Sequence, residues 1–344
     1  MINKIIKLIL IFEILIILIF LKNSIMYITI KNFLRNNSKR LIKKILLSKM
    51  FKKTKKNINR VNSLIIKGNS RFGNFFISIN NAIIYCEILN CKKIIIENNN
   101  NIYINKIMYY KQNNFTIEPN QTFKYNDNYS IIINVNYFIF HGLRFFRNIN
   151  RFNFFREQLL NNIPKVKVHP NSLYISIRSG DIFTLSNKAS IKGYFQPPLC
   201  FYIKILNKFK FNKVYIISEN NLNPVIPNLL KKYSYIKQIK NNFKVDISYL
   251  INSYNVVASK STFFSVCIKL NNKLKSLWEY DFLTSKRKSY LDFHTFYKLN
   301  HYTIYKMNSS VNFRKIMIPW LNSHKQRKMM FKEKCKYNFD IIKE

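Results

Sequence analysis

Leu173-Tyr174-Ile175-Ser176-Ile177-Arg178-Ser179-Gly180-Asp181 is the stretch that decides the fold class. Its first half is an apolar run interrupted only by Ser176, the pattern of a strand buried on both faces of a parallel sheet. It then turns polar at once. Arg178 therefore stands at the carboxyl end of a buried strand, where open α/β sheets place their ligands. An arginine at such an edge is costly unless it meets an anion or a carboxylate. Asp181, three residues on, is a carboxylate within reach. Two readings stand side by side: an anion site, or an ion pair that braces the turn.

The alternation of short apolar runs with longer helical ones continues on both sides. Upstream, strands are expected at Lys93–Ile96 and Ile131–Val135, and helices at Phe75–Leu89 and Phe145–Leu160, with a break at Pro164. Downstream, Pro197 and Pro198 open a helix running to Asn207, Lys213–Ser218 is a strand, and Pro227–Tyr233 is a helix. Asp246 heads a helix that ends near Ser253, Asn255–Ser259 is a strand, and Ser261 caps a helix through Leu270. Such repetition predicts an α/β fold of parallel sheets covered by helices, here two Rossmann-type units facing a cleft. The expected boundaries are 62–165 for the first unit, 166–283 for the second, and 284–344 for a helical tail.

Ahead of residue 62 the chain reads differently. Leu8–Leu21 is apolar except for Glu13, and counting from Ile5 to Ile30 gives enough length to span a bilayer. No small residues suggest cleavage. Residues 1–30 are expected to be an uncleaved signal anchor, a single-pass type II transmembrane segment, and the Lys/Arg/Asn-rich stretch 31–61 a stem. Asn-x-Ser/Thr sequons at Asn36, Asn114, Asn120, Asn128 and Asn308 permit a lumenal location, in the Golgi or endoplasmic reticulum.

The net charge of +43 would ordinarily suggest a nucleic-acid partner. It is, however, spread along a chain dominated by Lys, Asn, Ile, Phe and Tyr, residues with A- and T-rich codons, so no specific nucleic-acid partner is expected. The five cysteines (Cys86, Cys91, Cys200, Cys267 and Cys335) show no zinc-site spacing and give no disulfide assignment. The five histidines are scattered, and no Asp-x-Asp occurs. Neither a metal nor a cofactor is expected.

Two further constellations carry chemistry. Arg71-Phe72-Gly73-Asn74 opens a helix, where a glycine lets a ligand approach the backbone and first-turn amides favour anions. Asp246 precedes Ser259-Lys260-Ser261-Thr262-Phe263, whose hydroxyls lie where a strand passes into a helix. Each has a plainer explanation as turn or cap.

Taken together, these three segments resemble the GDP-fucose-dependent glycosyltransferases. Arg71 to Asn74 is similar to the helix opening of α-1,2-fucosyltransferases. Ser176-Ile177-Arg178-Ser179-Gly180-Asp181 resembles their HxRxGD signature, with Ser176 in place of His. Asp246 with Ser261-Thr262-Phe263 resembles their C-terminal stretch. The likeness covers roughly residues 68–280. It implies a GT-B-like fold and an inverting, metal-independent glycosyltransferase moving fucose from GDP-fucose to a glycan or glycoprotein acceptor. Arg178 and Asp181 would be catalytic, with Arg178 neutralising the leaving diphosphate. Arg71, Gly73, Asn74, Ser176, Asp246, Ser261 and Thr262 would bind the nucleotide sugar. Asp181 and Glu219 are candidates for a general base by location alone. Ser176 also motivates an alternative, a non-catalytic membrane-anchored protein that keeps the glycosyltransferase fold.

Overall fold

A computed structural model of the chain describes residues 63–67, 71–97, 108–110, 115–120, 130–134, 149–184, 195–239, 242–281 and 302–342. The expected anchor and stem lie outside them, as do the sequons at Asn36, Asn114 and Asn128. Among the described residues no helix is long and apolar enough to cross a membrane.

The strands form two sheets. β1 (Ser63–Lys67), β2 (Lys93–Glu97), β3 (Met108–Tyr110), β4 (Phe115–Asn120) and β5 (Ser130–Asn134) are ordered β3-β4-β2-β1-β5, parallel except for β3 against β4. β6 (Ser172–Ser176), β7 (Lys213–Ile217), β8 (Ile236–Ile239), β9 (Asn255–Val257), β10 (Ser276–Asp281), β11 (Thr303–Asn308) and β12 (Phe339–Ile342) are ordered β12-β11-β10-β9-β6-β7-β8. Only β12 runs antiparallel to its neighbour, β11. In this second sheet the chain moves outward from β6 through β7 to β8, then returns to lay β9 on the other side of β6. The order reverses between β6 and β9, which leaves a crevice beyond their carboxyl ends.

Burial explains the apolar run that opened the reading. All five residues of β6 are buried. Leu173 and Ile175 join a core beneath α4 (Leu199–Lys208) and α5 (Val225–Lys232), with Phe201, Val225, Trp278 and Trp320. Tyr174 faces the other way, stacked between Tyr215 and Tyr249 at 5.3 and 5.5 Å. That second core continues into the first sheet, joining Leu64, Phe75, Ile94, Phe264 and Leu277. α1 (Phe72–Leu89) packs on α7 (Thr262–Leu270), and α2 (Ile149–Leu160) also reaches α7. The two sheets are thus joined by shared apolar burial.

The segment after 284, expected as a helical tail, is partly strand. Its described residues hold α8 (Val311–Met317) and α9 (His324–Lys332), but also β11 and β12, which extend the second sheet. Tyr305 of β11 stacks on Trp278 of β10 at 5.0 Å, tying the added strand to the sheet. Gln326 ties the bend before α9. Its amide nitrogen donates to the Ile316 and Pro319 carbonyls, and its oxygen accepts from the Leu321 amide.

Cys200 and Cys335 form a disulfide, with Cα atoms 5.7 Å apart, linking α4 to the chain beyond α9. Lys204 adds bonds to the carbonyls of Cys335 and Tyr337. Cys86, Cys91 and Cys267 are buried free thiols. Non-reducing peptide mapping is expected to recover one cross-linked peptide pair containing Cys200 and Cys335. Cys335→Ala is expected to lower the unfolding free energy by about 2–4 kcal/mol.

Candidate active site

The structure brings the three sequence constellations to one cavity of about 740 Å³. Arg71, Gly73 and Asn74 reach it from the start of α1, Ser176 from the end of β6, and Arg178 and Asp181 from the turn that follows. Asp246 comes from α6 (Phe243–Asn252), and Ser261 and Thr262 from the start of α7. All nine predicted residues line it. Phe72, Ser218, Glu219, Phe243, Ser259 and Phe263 line it as well.

Two helix starts meet here because of Gly73. A Cβ at that position would lie 2.4 Å from the Phe263 nitrogen and from the Thr262 carbonyl carbon. Only a residue without a side chain lets the first turn of α1 touch the backbone of the first turn of α7. No side chain caps α1, neither helix has an acidic residue in its first turn, and Ser261 caps α7 through the Phe264 amide at 3.0 Å. The macrodipoles of α1 and α7 therefore both present positive ends to the cavity. Phe72, Phe243 and Phe263 seal the junction, with ring centroids 5.1–5.9 Å apart.

The turn after β6 holds the charges. Arg178 lies two residues past the strand end, and its side chain is only 13% exposed. It donates to Asp181 and to Glu219, each at 2.5 Å. Asp181 also accepts from Arg71, the contribution of the first unit, at 2.9 Å. The brace between Arg178 and Asp181 is thus real, and it sits inside the cavity lining rather than apart from it. Arg178 Nε and Asp246 Oδ1 are buried with no hydrogen-bond partner among the described residues.

Asparagines lock the turn from behind. Asn220 Oδ1 accepts from the Ser179 hydroxyl at 2.6 Å and from the Gly180 amide at 3.2 Å. Asn223 Nδ2 donates to the Arg178 carbonyl, and the Asn223 amide donates to Ser179 Oγ. Gln196 joins this set by accepting from Asn223 Nδ2. Sequence reasoning missed these asparagines, since nothing distinguishes them in so asparagine-rich a chain. Gly180 adopts φ +69°, the left-handed turn that favours glycine.

Ser176 and Ser259 bridge the crevice between β6 and β9, their hydroxyls 2.9 Å apart. Asp246 does not head its helix as expected. Asn242 caps α6 by accepting from the Val245 amide, and Asp246 lies in the first turn, three residues after the helix start at Phe243. Burial pushes the Asp246 carboxyl up to about 7, with the Glu219 carboxylate adding to the rise. Burial also raises Glu219 above its ordinary value, opposed by Arg178 and Arg71 and reinforced by Asp181. Among the described residues no three His, Cys, Asp or Glu side chains group to hold a metal ion.

The raised Asp246 value fixes a pH dependence. The folded chain holds this proton more tightly than the unfolded chain does, so the stability it contributes is fully present below about pH 4. That contribution declines as pH rises and is lost on passing about 7. Asp246→Asn is therefore expected to be more stable than the parent at pH 8, by on the order of 1–2 kcal/mol after allowing for solvent screening. The difference should vanish at pH 4, as measured by urea denaturation at both values.

No family model matches the chain, and no curated protein matches it. Among solved structures it is similar to fucosyltransferase NodZ from Bradyrhizobium, with a TM-score of 0.37 and 10% identity over 65% of this chain and 96% of that one. It is also similar to NodZ alpha-1,6-fucosyltransferase co-crystallised with GDP, with a TM-score of 0.33 and 8% identity over 72% and 96%. The form of that enzyme soaked with GDP-fucose gives 0.33 and 8% over 72% and 95%.

Proposed function

We propose that this protein is an inverting glycosyltransferase of GT-B type that transfers a sugar, fucose from GDP-fucose foremost, to a glycan or glycoprotein acceptor. The observation that carries the reading is convergence. Three segments separated by about a hundred residues and by some sixty meet at one cavity, beyond the carboxyl ends of β6 and β9. In this reading the diphosphate lies against the first turns of α1 and α7, with Arg178, Arg71 and the Ser261 and Thr262 hydroxyls around it. Asp246 takes bonds from the base.

The chemistry asked of the site is charge stabilisation. As the glycosidic bond breaks, the diphosphate gains negative charge, and fixed donors are worth most where charge develops. Arg71 and Arg178 are already balanced by Asp181 and Glu219. The helix starts and hydroxyls therefore supply a share of the stabilisation, and the ion pairs hold the arginines in place beforehand. The anchor at residues 1–30 would tether the catalytic part in the Golgi or endoplasmic reticulum. The Cys200–Cys335 disulfide suits such an oxidising compartment.

A second reading has its own observation. Ser176, at the signature position occupied by His in the resembling family, is tied to Ser259. A non-catalytic protein that binds nucleotide without turning it over would fit that substitution.

Calorimetric titration of the full-length protein in detergent is expected to show GDP binding. Arg178→Ala should weaken it by roughly ten- to a hundredfold, the scale of a lost charge-assisted contact. Arg178→Lys should restore little, because a point charge cannot replace the planar fork. Absence of GDP affinity in the parent would count against the reading. Gly73→Ala should also lose affinity and lower stability by about 1–3 kcal/mol, since the two helix starts must part.

A further inference from the structure

Three carboxylates line the cavity, and their surroundings sort them. Asp181 has both oxygens engaged. Oδ2 accepts from Arg71, and Oδ1 accepts from Arg178 and from the Ile182 amide. Both oxygens are thus already taken by donors of the chain. Asp246 has a buried oxygen and lies on α6, beside Phe243. Glu219 differs from both. Its side chain is about half exposed, at 51%, and Arg178 engages only Oε1.

The seat of Glu219 is built into the backbone. Its Oε2 occupies the space that a side chain on Gly180 would fill, 1.7 Å from the position of a Cβ there. Gly180 thus has two demands on it, a left-handed turn and room for this carboxylate. The next residue, Asn220, is bonded to Ser179 and to the Gly180 amide, so the backbone carrying Glu219 is fixed to the turn carrying Arg178. The charged groups facing it are Arg178, Asp181, Arg71 and Asp246. Burial lifts its value above that of an ordinary glutamate, which strengthens it as a base once ionised.

We propose that Glu219 is the general base of the transfer, an assignment that rests on the glycosyltransferase reading. Its carboxylate takes the proton of the acceptor hydroxyl as that oxygen bonds to the anomeric carbon. The bond from the anomeric carbon to the diphosphate oxygen breaks, and its electron pair leaves on the nucleoside diphosphate beside Arg178. The products are the glycosylated acceptor, free nucleoside diphosphate and a protonated Glu219, which returns its proton to solvent.

The test uses the full-length protein, GDP as the binding probe, and GDP-fucose with water as the acceptor, followed by GDP release. Glu219→Gln keeps an oxygen to accept from Arg178 but removes the base. GDP affinity is expected to stay within about threefold while GDP release falls at least about a hundredfold. In the parent, release should fall as pH drops through the Glu219 value, and the variant should lose that acid limb. Gly180→Ala, which displaces the carboxylate, should reproduce the loss of turnover. Parent-like turnover in Glu219→Gln with the acid limb intact would overturn the assignment. Loss of GDP binding together with turnover would overturn it too, making Glu219 a positioning residue for Arg178. A parent that binds GDP but releases none from GDP-fucose would refute the base and leave the nucleotide site standing. A parent without GDP affinity would refute the underlying reading itself.

Discussion

The contact between the backbones of α1 and α7 at Gly73 governs the rest of the site. Helix starts carry amides and a positive dipole end, and they are ordinarily kept apart by side chains and caps. Here a missing Cβ brings the start of α1 against Thr262 and Phe263. Three phenylalanines close around the contact, and the core beneath runs without a break from Leu64 and Phe75 to Phe264 and Leu277. This arrangement holds α1, which follows β1 of the first sheet, against α7, which follows β9 of the second. It also puts Arg71 within reach of Asp181, 110 residues away.

The second dependence is electrostatic. Arg178 is largely enclosed, and enclosing a guanidinium is tolerable only with partners of opposite charge and good geometry. Asp181 and Glu219 provide them, and Asn220 and Asn223 hold the backbone of both turns. The result is a charge cluster whose members are positioned before any ligand arrives. That is the condition under which fixed dipoles and charges contribute most to a reaction. Burial likewise lifts Glu219 and Asp246 above ordinary carboxylate values.

Much of this was legible in the sequence because burial leaves a period. The run Leu173–Ile177 read as a doubly buried strand, and β6 is buried throughout. Ser261 read as a cap, and its hydroxyl accepts from Phe264. Arg71, Gly73 and Asn74 stood out as a helix opening, and all three line the cavity. Other parts had no local signal. β8 is only four residues long, and β11 and β12 are strands in a Tyr/Lys-rich region whose alternation is obscured by composition. Asn220, Asn223 and Asn242 act as locks and a cap, but asparagine is too common here to be read as a mark. The meaning of Gly180 lay in Glu219, which only the folded chain brings beside it. The disulfide joins residues 135 apart, a distance over which spacing says nothing.

The short helix α3 (Asp181–Thr184) that follows Gly180 is pinned from far along the chain. Trp320 Nε1 donates to the Ile182 carbonyl, and Asn322 and Arg327 both donate to the Phe183 carbonyl. Arg327 also lies over the Phe183 ring and bonds Asn322. The charged turn is therefore braced from outside the cavity, by side chains 138 to 144 positions further along the chain. A loosening of the bend before α9 would reach Asp181 without changing any residue that lines the cavity, so the stiffness of the charge cluster is set at a distance from it.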